Sequence, residues 1–405
     1  FAHQGRAQLA ALVEARTAGL DVYPIWNKSF REHNIIKTHP DDVRSEADDA
    51  VAALKWQGDY YVDADHIDLK TVDSFLAGSD FYTLDVAEFV GSEPQVEDVD
   101  AFVAANRSFL GSLKIPGIEV PFTVTEDTLR KSAGNFLLAI REAGKIYRHI
   151  EAAKGVDNFV TEVSVDETDL PQTPIDLLLL LSMIAAEGIP AQTIAPKFTG
   201  RFNKGVDYVG DLVQFEKEFD QDLHVIAFAI GEFGLPATLK LSVHSGSDKF
   251  SIYPIINKLI ARHQAGLHVK TAGTTWLEEI IGLAEAGGEG LAIAREVYAE
   301  ARGRFDELTG PYANVIDIAA AELPSIETVN SWDSAHYVNA LRHIPNSPEY
   351  NRHFRQLIHV GFKIAAEMGA RYTDALKANE AIIARNVTEN LWQRHIAPIF
   401  GARST

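Results

Sequence analysis

Short apolar runs alternate with stretches of helical periodicity along the first two thirds of the chain. In the helix predicted over residues 6–18, apolar residues recur at the three- and four-residue spacing of a helix face. The apolar runs predict eight strands, over residues 21–26, 59–67, 80–85, 158–167, 192–199, 224–231, 238–244 and 266–271. Strands that alternate with helices are typical of a parallel sheet, and eight such units predict an α/β fold of the (β/α)8 TIM-barrel type.

Two regions depart from this alternation. Residues 92–157 follow the third strand and are mostly helical in pattern, with an irregular stretch over 116–124, so we expect a helical insertion there. Residues 292–405 show a helical pattern almost throughout, which predicts a C-terminal helical extension packed on the barrel. The expected domain organisation is a catalytic barrel over 1–291, interrupted by the insertion, followed by the extension.

The composition limits the kinds of function that the chain can have. It has 405 residues and a net charge of −20, which argues against nucleic acid and anionic membranes as partners. The absence of cysteine excludes thiolate catalysis, so any metal must be held by His, Asp or Glu. No glycine fingerprint follows the first strand, so we do not expect NAD. The longest apolar run, residues 177–186, is too short to span a bilayer, and we expect a cytoplasmic protein, with a homo-oligomer as one option.

The second predicted strand has ionisable side chains near its end, namely Asp63, Asp65 and His66. Side chains alternate along a strand, so the two aspartates share one face and His66 points away from them unless the strand has already ended. Strand ends that face a cleft are where metal ligands and bases sit in α/β folds. The alternative is an ordinary turn after an edge strand, with an aspartate capping the next helix.

Three histidines, His66, His244 and His268, stand at or near the ends of predicted strands. A barrel brings such ends together, and three neutral imidazoles can hold a divalent ion and leave positions open for a substrate. On the fourth strand, Glu162 and Asp166 share a face and could supply an oxygen ligand or an acid/base group. The alternative is that each histidine is structural.

Basic residues cluster at the same end of the predicted barrel. Lys197 and Arg201 follow strand five, Lys249 follows strand seven and Lys270 ends strand eight. Their charges could bind a carboxylate or phosphate of a substrate, or they could be ordinary solvated side chains. Ser245 begins a small glycine-containing loop where barrels often bind phosphate, but this loop lacks the spacing of a P-loop.

Four segments resemble the tagaturonate epimerase family: residues 29–32 (SFRE), 63–66 (DADH), 240–250 (KLSVHSGSDKF) and 271–278 (TAGTTWLE). The similar segments occur in family order between about residues 20 and 280, and the third is the most specific. The resemblance implies a metal-dependent enzyme that interconverts tagaturonate and fructuronate, and some relatives act on neutral ketohexoses.

The resemblance also implies roles for individual residues. Asp65 looks like the catalytic base and Glu162 like the second acid/base, and the candidate ligands of one divalent ion are His66, His244 and His268. Such ligands suit Zn, Mn, Ni, Co or Fe. We expect the substrate, a sugar acid or ketose, to be bound by residues near the strand ends, namely Arg31, Asp166, Lys197, Arg201, Ser245, Lys249 and Lys270.

The implied reaction constrains the mechanism. The carbon inverted between these two sugars is not adjacent to the ketone, so its hydrogen is not acidic and simple enolisation does not invert it. We expect a retro-aldol and aldol route, in which Asp65 removes a hydroxyl proton, the metal acts as a Lewis acid on the enediolate, and Glu162 returns the proton. The alternatives are a class II-type aldolase or other metal-dependent sugar or sugar-phosphate isomerase and, outside the enzymes, a carbohydrate-binding barrel scaffold.

Overall fold

Parallel strands at the centre of the molecule form one curled sheet. The computed structural model describes residues 1, 3–166, 168, 170–271 and 273–402. Within them, the strands are β1 (Ile25–Ser29), β2 (Tyr61–Ile67), β3 (Phe81–Asp85), β4 (Gly111–Leu113), β5 (Phe122–Val124), β6 (Val160–Ser164), β7 (Thr193–Ala195), β8 (Lys240–Val243) and β9 (Leu267–Val269). The large sheet has seven strands in the order β1-β2-β3-β6-β7-β8-β9, and β4 and β5 form a separate antiparallel hairpin.

Every neighbouring pair in the large sheet is parallel, as the alternation of strands and helices predicts. The curl of the sheet is visible from its side chains, because Glu162 on β6 lies 2.8 Å from His268 on β9, three strands away. Among the described residues, β1 and β9 are edges that no hydrogen bonds pair. The protein therefore has an α/β fold with a curled half-barrel, and a closed (β/α)8 barrel is not confirmed.

Seven of the eight predicted strands correspond to strands of this sheet. The first lies further along the chain than expected, at Ile25–Ser29 rather than residues 21–26. The fourth ends at Ser164. Glu167, the last residue of the predicted fourth strand, lies outside the described residues.

Helices surround the sheet and make up most of the rest of the chain. Those up to residue 286 are α1 (Gly5–Thr17), α2 (Phe30–Ile36), α3 (Pro40–Leu54), α4 (Val96–Ala105), α5 (Glu126–Lys154), α6 (Pro174–Ala186), α7 (Leu212–Phe233), α8 (Tyr253–His263) and α9 (Thr274–Ala286). Those after it are α10 (Gly288–Gly303), α11 (Phe305–Thr309), α12 (Ile326–Ser331), α13 (Ser334–Leu341), α14 (Arg352–Val360), α15 (Phe362–Met368), α16 (Ala370–Ala378), α17 (Glu380–Glu389) and α18 (Ala397–Phe400). A π-helix at Asn390–Ile396 joins the last two, and short 3-10 turns lie at Val72–Ser74, Ala87–Phe89, Arg107–Phe109, Gly310–Tyr312 and Ala320–Glu322. Among the described residues, no helix combines the length and the apolar character that crossing a membrane requires.

The predicted sixth strand, residues 224–231, is wrong, because this segment is the second half of α7. The helix begins after Asp211, whose side chain accepts hydrogen bonds from two backbone N–H groups of the first turn. It ends at Gly234, which has a φ of 68°. The apolar run continues the helical spacing of buried residues such as Phe215 and Phe219. A short apolar run by itself does not distinguish a strand from a buried helix, so the choice depends on this longer spacing.

The two regions outside the alternation are helical, with one addition. Residues 92–157 contain α4 and α5, and between them the β4–β5 hairpin, which the sequence did not predict. The long helix α5 packs against α4 and α6. In the C-terminal region, α17 lies against both α9 and α1, and the helices share an apolar core that includes Tyr298, Phe354 and Ile383. The division of the chain at residue 291 stays a prediction.

Candidate active site

The end of β2 brings His66 to Asp65, although the two are neighbours in a strand. His66 has a φ of 54°, in the left-handed region, and the pairing of β2 with β3 shifts register between Ala64 and Ile67. His66 Nδ1 lies 2.9 Å from Asp65 Oδ1 as a result. Such a backbone conformation is uncommon outside glycine and concentrates at functional sites. The irregularity thus turns a ligand-type side chain towards the carboxylate.

Glu162 on β6 is fully buried and contacts two of the three predicted histidines. His244 Nε2 lies 2.6 Å from its Oε1, and His268 Nδ1 lies 2.8 Å from its Oε2. Thr193 Oγ1 donates to Oε2 at 2.7 Å, and Thr83 Oγ1 lies 3.3 Å from Oε1. With both oxygens engaged, Glu162 fixes the orientation of the two imidazoles.

Lys270, directly after β9, is the cation at the centre of this arrangement. Its Nζ donates to Asp63 Oδ2 at 2.7 Å and to Asp65 Oδ1 at 2.5 Å. It also donates to Thr83 Oγ1 at 2.6 Å and lies 3.5 Å from Glu162 Oε1. Because these groups are buried, solvent ions screen their interactions little. Lys270, predicted as a substrate contact, therefore lies against the predicted base.

These charges shift one another's pKa values. Burial by itself raises the pKa of Asp65, but Lys270 and His66 outweigh it and hold that pKa well below its usual value. Burial likewise opposes ionisation of Glu162, and the neighbouring histidines and Lys270 hold its pKa well below the usual range. At Asp63 burial prevails over Lys270 and raises the pKa. At neutral pH, Asp65 is therefore an ionised carboxylate that can accept a proton.

His66, Asp166 and His244 form a group that could hold a metal ion, with one ligand atom from each within 4.8 Å of the others. His66 Nε2 is 3.8 Å and His244 Nδ1 is 3.2 Å from Asp166 Oδ1. Both ring nitrogens are buried and make no hydrogen bond to a described residue. The other nitrogen of each ring is bonded to a carboxylate, Asp65 for His66 and Glu162 for His244. Imidazoles that ligate metals are typically backed by a carboxylate in this way, so the donor set fits a divalent ion.

The electrostatics favour positive charge at the same place. Burial lowers the pKa of His244, but Asp166 and Glu162 together raise it to about 9. The pKa of His66 is also raised well above its usual value, because Asp65 and Asp166 outweigh burial. A proton on each ring or a metal ion between the rings satisfies these carboxylates. We call the following side chains the site cluster: Asp63, Asp65, His66, Glu162, Asp166, His244 and Lys270.

His268 is not in the candidate metal group. Its Nδ1 contacts Glu162 and lies 3.1 Å from Ser242 Oγ, and its ring lies 5.1 Å from that of Phe81. The structure brings together two of the three predicted histidine ligands, and Asp166, predicted as a substrate contact, occupies the third position.

Three other predicted substrate contacts make no hydrogen bond or ion pair with the site cluster. Lys197 donates to a backbone carbonyl. Arg201 is half exposed and lies 3.8 Å from Asp317. Arg31 lies over the ring of Tyr312, beside a cavity of about 320 Å³ next to β1. Their role as substrate contacts stays a prediction.

Lys249, by contrast, is placed as a structural residue. It is fully buried, and its ammonium donates to the backbone carbonyl oxygens of Asn203, Val206 and Ser247 at 2.9, 2.8 and 2.8 Å. Burial lowers its pKa to about 7. These three bonds use all the donors of the ammonium, and the predicted contact with a substrate carboxylate stays a prediction. Ser245, at the start of the same loop, has a φ of 48° and turns the chain directly after β8.

Asp248 fixes this loop to the C-terminal helices. Arg355 of α14 donates to Asp248 Oδ2 at 2.7 Å and to the carbonyl of Gly205 at 2.6 Å, and both charged side chains are fully buried. The backbone N–H of Asp248 donates to His395 Nε2 at 3.0 Å. We call Lys249, Asp248 and Arg355 the loop anchor.

Sequence reasoning missed several residues around the site. Thr83 and Thr193 are buried hydroxyl side chains next to apolar strand residues, and a buried hydroxyl needs a partner, which was the available signal. Arg355 lies in a helical region without a recognisable motif, so no local signal pointed to it.

Comparison with known proteins identifies relatives over almost the whole chain. The family model described as tagaturonate epimerase matches residues 6–395. The chain is 28% identical over 394 residues to the tagaturonate/fructuronate epimerase of Thermotoga maritima, covering 93% of this chain and 75% of that protein. Solved structures of the fructuronate-tagaturonate epimerase from Cohnella laeviribosi, native and with one glycerol, have TM-scores of 0.76 and 0.77. Both are 22% identical in sequence and cover 98% of this chain and 79% of theirs, so this likeness establishes a shared fold.

Proposed function

Because this chain belongs to the tagaturonate epimerase family, we propose that it interconverts tagaturonate and fructuronate with the help of one divalent metal ion. The observation that carries this proposal is the pair of buried ring nitrogens, His66 Nε2 and His244 Nδ1, that lie 3.8 and 3.2 Å from Asp166 Oδ1 and meet no geometric criterion for a hydrogen bond to a described residue. The name of the Thermotoga relative supports the choice of substrate.

We assign the metal to His66, Asp166 and His244 rather than to the three predicted histidines. The hydrogen bonds to Asp65 and Glu162 leave one ring nitrogen of each histidine available as a ligand. An ion bound there would supply Lewis-acid stabilisation of negative charge on the ketose oxygens. His and carboxylate donors suit Zn, Mn, Ni, Co or Fe.

The side chains of the site cluster then divide the work of a retro-aldol and aldol reaction. Asp65 accepts the proton of the hydroxyl on the carbon to be inverted, while the bond from that carbon to its neighbour breaks and its electrons pass towards the ketone. Rotation of the aldehyde and re-addition form the same bond on the other face, and the hydroxyl oxygen regains a proton. Lys270 keeps Asp65 ionised between turnovers.

Glu162 has a different role in this proposal from the one expected from sequence. Its oxygens accept hydrogen bonds from Thr193 and the two neighbouring imidazoles. We therefore assign it to orienting His244 and His268 rather than to returning the proton to the substrate.

Metal analysis of two variants tests the ligand assignment. We expect His244→Ala to lose one equivalent of divalent ion relative to wild type, with a fall in epimerase activity on the order of 10³-fold, since metal and orientation are both lost. We expect His268→Ala to keep that equivalent and to lose about 10- to 100-fold in activity. Loss of the ion in both variants would restore the set of three histidines. Retention in both would overturn the metal site.

An isotope experiment tests the route. In D₂O, a retro-aldol reaction leaves the original hydrogen on the inverted carbon, because its C–H bond never breaks. In proton NMR of the product fructuronate, the signal of the hydrogen on that carbon should therefore keep its full intensity, which means that no deuterium has been incorporated. Deuterium at that carbon would contradict the retro-aldol route and support a mechanism that deprotonates the inverted carbon.

A further inference from the structure

A second group of metal-ligating side chains lies outside the site cluster, on the seam between α7 and α8. Asp220, His224 and His263 each offer one ligand atom within 4.8 Å of the others. Asp220 and His224 are four residues apart on α7 and so lie on the same face of the helix. His263 is in the last turn of α8, which packs against α7.

The two histidines of this group differ in their contacts. His263 Nε2 lies 2.7 Å from Asp220 Oδ1. The rings of His224 and His263 lie 4.4 Å apart, at 74° to each other. Among the described residues, none forms a hydrogen bond with His224, whose ring contact with His263 is the one given above. Two imidazoles beside one carboxylate thus present more lone pairs than the protein's own donors use.

The loop between β4 and β5 closes over the group from a third side. A Cβ added to Gly117 would lie 2.0 Å from Cε1 of His224, so only glycine permits this approach of backbone to ring. Gly117 also has a φ of 89°, which favours glycine. The position of the His224 ring is therefore set by packing as well as by its helix.

Ion pairs also join the two helices along this seam. Glu216 pairs with Lys258, and Asp220 pairs with Arg262. Asp220 therefore belongs both to an ion pair and to the group with the two histidines. Two histidines and one carboxylate, with water in the fourth position, are a known ligand set for zinc.

We propose that Asp220, His224 and His263 bind one zinc ion that joins α7 to α8. Zinc bonds of about 2.0–2.2 Å place ligand atoms about 3.3 Å apart, so the three ligand atoms, now within 4.8 Å of one another, move closer together when the ion binds. The ion replaces the hydrogen bond between His263 and Asp220 Oδ1, an oxygen that also accepts a hydrogen bond from Arg262 at 3.0 Å. Because α7 precedes β8 and α8 follows it, the ion stabilises the helices that flank this strand and takes no part in the reaction.

Zinc binding to the whole protein tests this site. The metal-free protein is dialysed against buffered Zn²⁺, and bound zinc is counted by elemental analysis in wild type, His224→Asn and His263→Asn. His149→Asn is the matched control, because His149 lies 2.6 Å from Asp73 but belongs to neither three-residue metal group among the described residues. We expect each seam variant to bind one equivalent less than wild type, and the control to bind as much as wild type.

Thermal unfolding separates loss of the ligand from loss of the fold. In chelator, His224→Asn should unfold at the wild-type midpoint, and added Zn²⁺ should raise the midpoint of wild type by more than that of the variant. Epimerase activity should be unchanged in His224→Asn. Equal zinc binding by wild type and both seam variants would overturn the proposal. This outcome is separate from failure of the proposed active-site metal, because that assignment is tested by the metal content of His244→Ala.

Discussion

Two buried lysines, Lys270 and Lys249, take opposite roles in this molecule. Lys270 belongs to the site cluster, where its ammonium faces the carboxylates of Asp63 and Asp65. Lys249 belongs to the loop anchor, where its ammonium faces three backbone carbonyl oxygens. Burial lowers the pKa of both, but at Lys270 the carboxylates outweigh burial and raise the pKa above its usual value, whereas at Lys249 burial brings it to about 7.

The difference lies in what the acceptors can do. A carboxylate can take up a proton at physiological pH values when its pKa is shifted, whereas a backbone carbonyl is a neutral acceptor that does not titrate. In the site cluster, the carboxylates are accompanied by ring nitrogens of His66 and His244 that form no hydrogen bond with a described residue. The comparison of the two lysines indicates that Lys270 is placed to influence groups that can titrate, whereas Lys249 is placed to hold the chain together.

Lys270→Met should give the largest effect. The change removes the cation from Asp63, Asp65 and Glu162, so their mutual repulsion is uncompensated and the pKa of Asp65 rises. We expect kcat/KM for tagaturonate to fall on the order of 10³-fold, because the base is no longer reliably ionised. Lys249→Met is the matched control, and its kcat per folded molecule should stay near wild type. Equal losses in the two variants would contradict the comparison.

Arg355→Met should give the largest loss of stability. It leaves Asp248 buried and unpaired, and we expect the free energy of unfolding to fall by about 3–5 kcal/mol in urea titrations. Arg304→Met removes a partly exposed arginine that pairs with Glu307 and Glu367 at the surface, and should change stability little. If both variants lose the same stability, the loop anchor is no more important than a surface ion pair.

Glu278→Gln should change how stability depends on pH. Burial raises the pKa of Glu278 to about 7 against the attraction of Arg355, from an ordinary value of 4.5, so the folded protein binds the extra proton more tightly. This contribution is complete below pH 4.5 and is lost as pH rises to about 7, and amounts to about 3 kcal/mol. The stability difference between wild type and Glu278→Gln should therefore fall across that window.

Glu285→Gln provides a control of opposite sign for this experiment. Despite partial burial, hydrogen bonds from Asn386 and Arg385 lower the pKa of Glu285. Its contribution is therefore present above the ordinary pKa of the carboxyl and is lost on acidification. A pH dependence of the same sign in both variants would show that general charge, rather than burial, sets the effect at Glu278.

Arg201→Ala should give the smallest effect. The side chain is half exposed and belongs to neither the site cluster nor the loop anchor. We expect the free energy of unfolding to change by less than about 0.5 kcal/mol and KM for tagaturonate to stay at the wild-type value. A marked rise in KM would instead support the contact with the substrate carboxylate that the sequence predicts.

The fold was predictable where sequence signals were local. Alternating strands and helices gave a parallel sheet, and most strand positions followed from apolar runs with polar ends. The error at residues 224–231 arose because an eight-residue apolar segment fits either a strand or a buried helix turn. Only the spacing that extends back to Phe215, and the glycine at position 234, resolve it.

The site was predictable in its residue types but less so in its pairings. Strand ends identified His66, His244 and Lys270, because parallel strands place their ends at one edge. Which histidines lie together in the candidate metal group depends on the curl of the sheet, which places His268 against Glu162. The role of Lys249 was also not readable, because its partners are backbone atoms that any sequence would supply.

The left-handed backbone conformation at His66 restricts which residues can replace it during evolution. Left-handed backbone tolerates Asn, Asp and His better than other side chains and disfavours β-branched ones. Of the tolerated residues, His and Asp are also metal ligands. The codons of His, Asn and Asp differ only in their first base. A single nucleotide change can therefore replace His66 by a weaker metal ligand that still tolerates the left-handed backbone conformation. A saturation library at position 66 should accordingly yield folded protein for a narrow set of residues and activity for a narrower one.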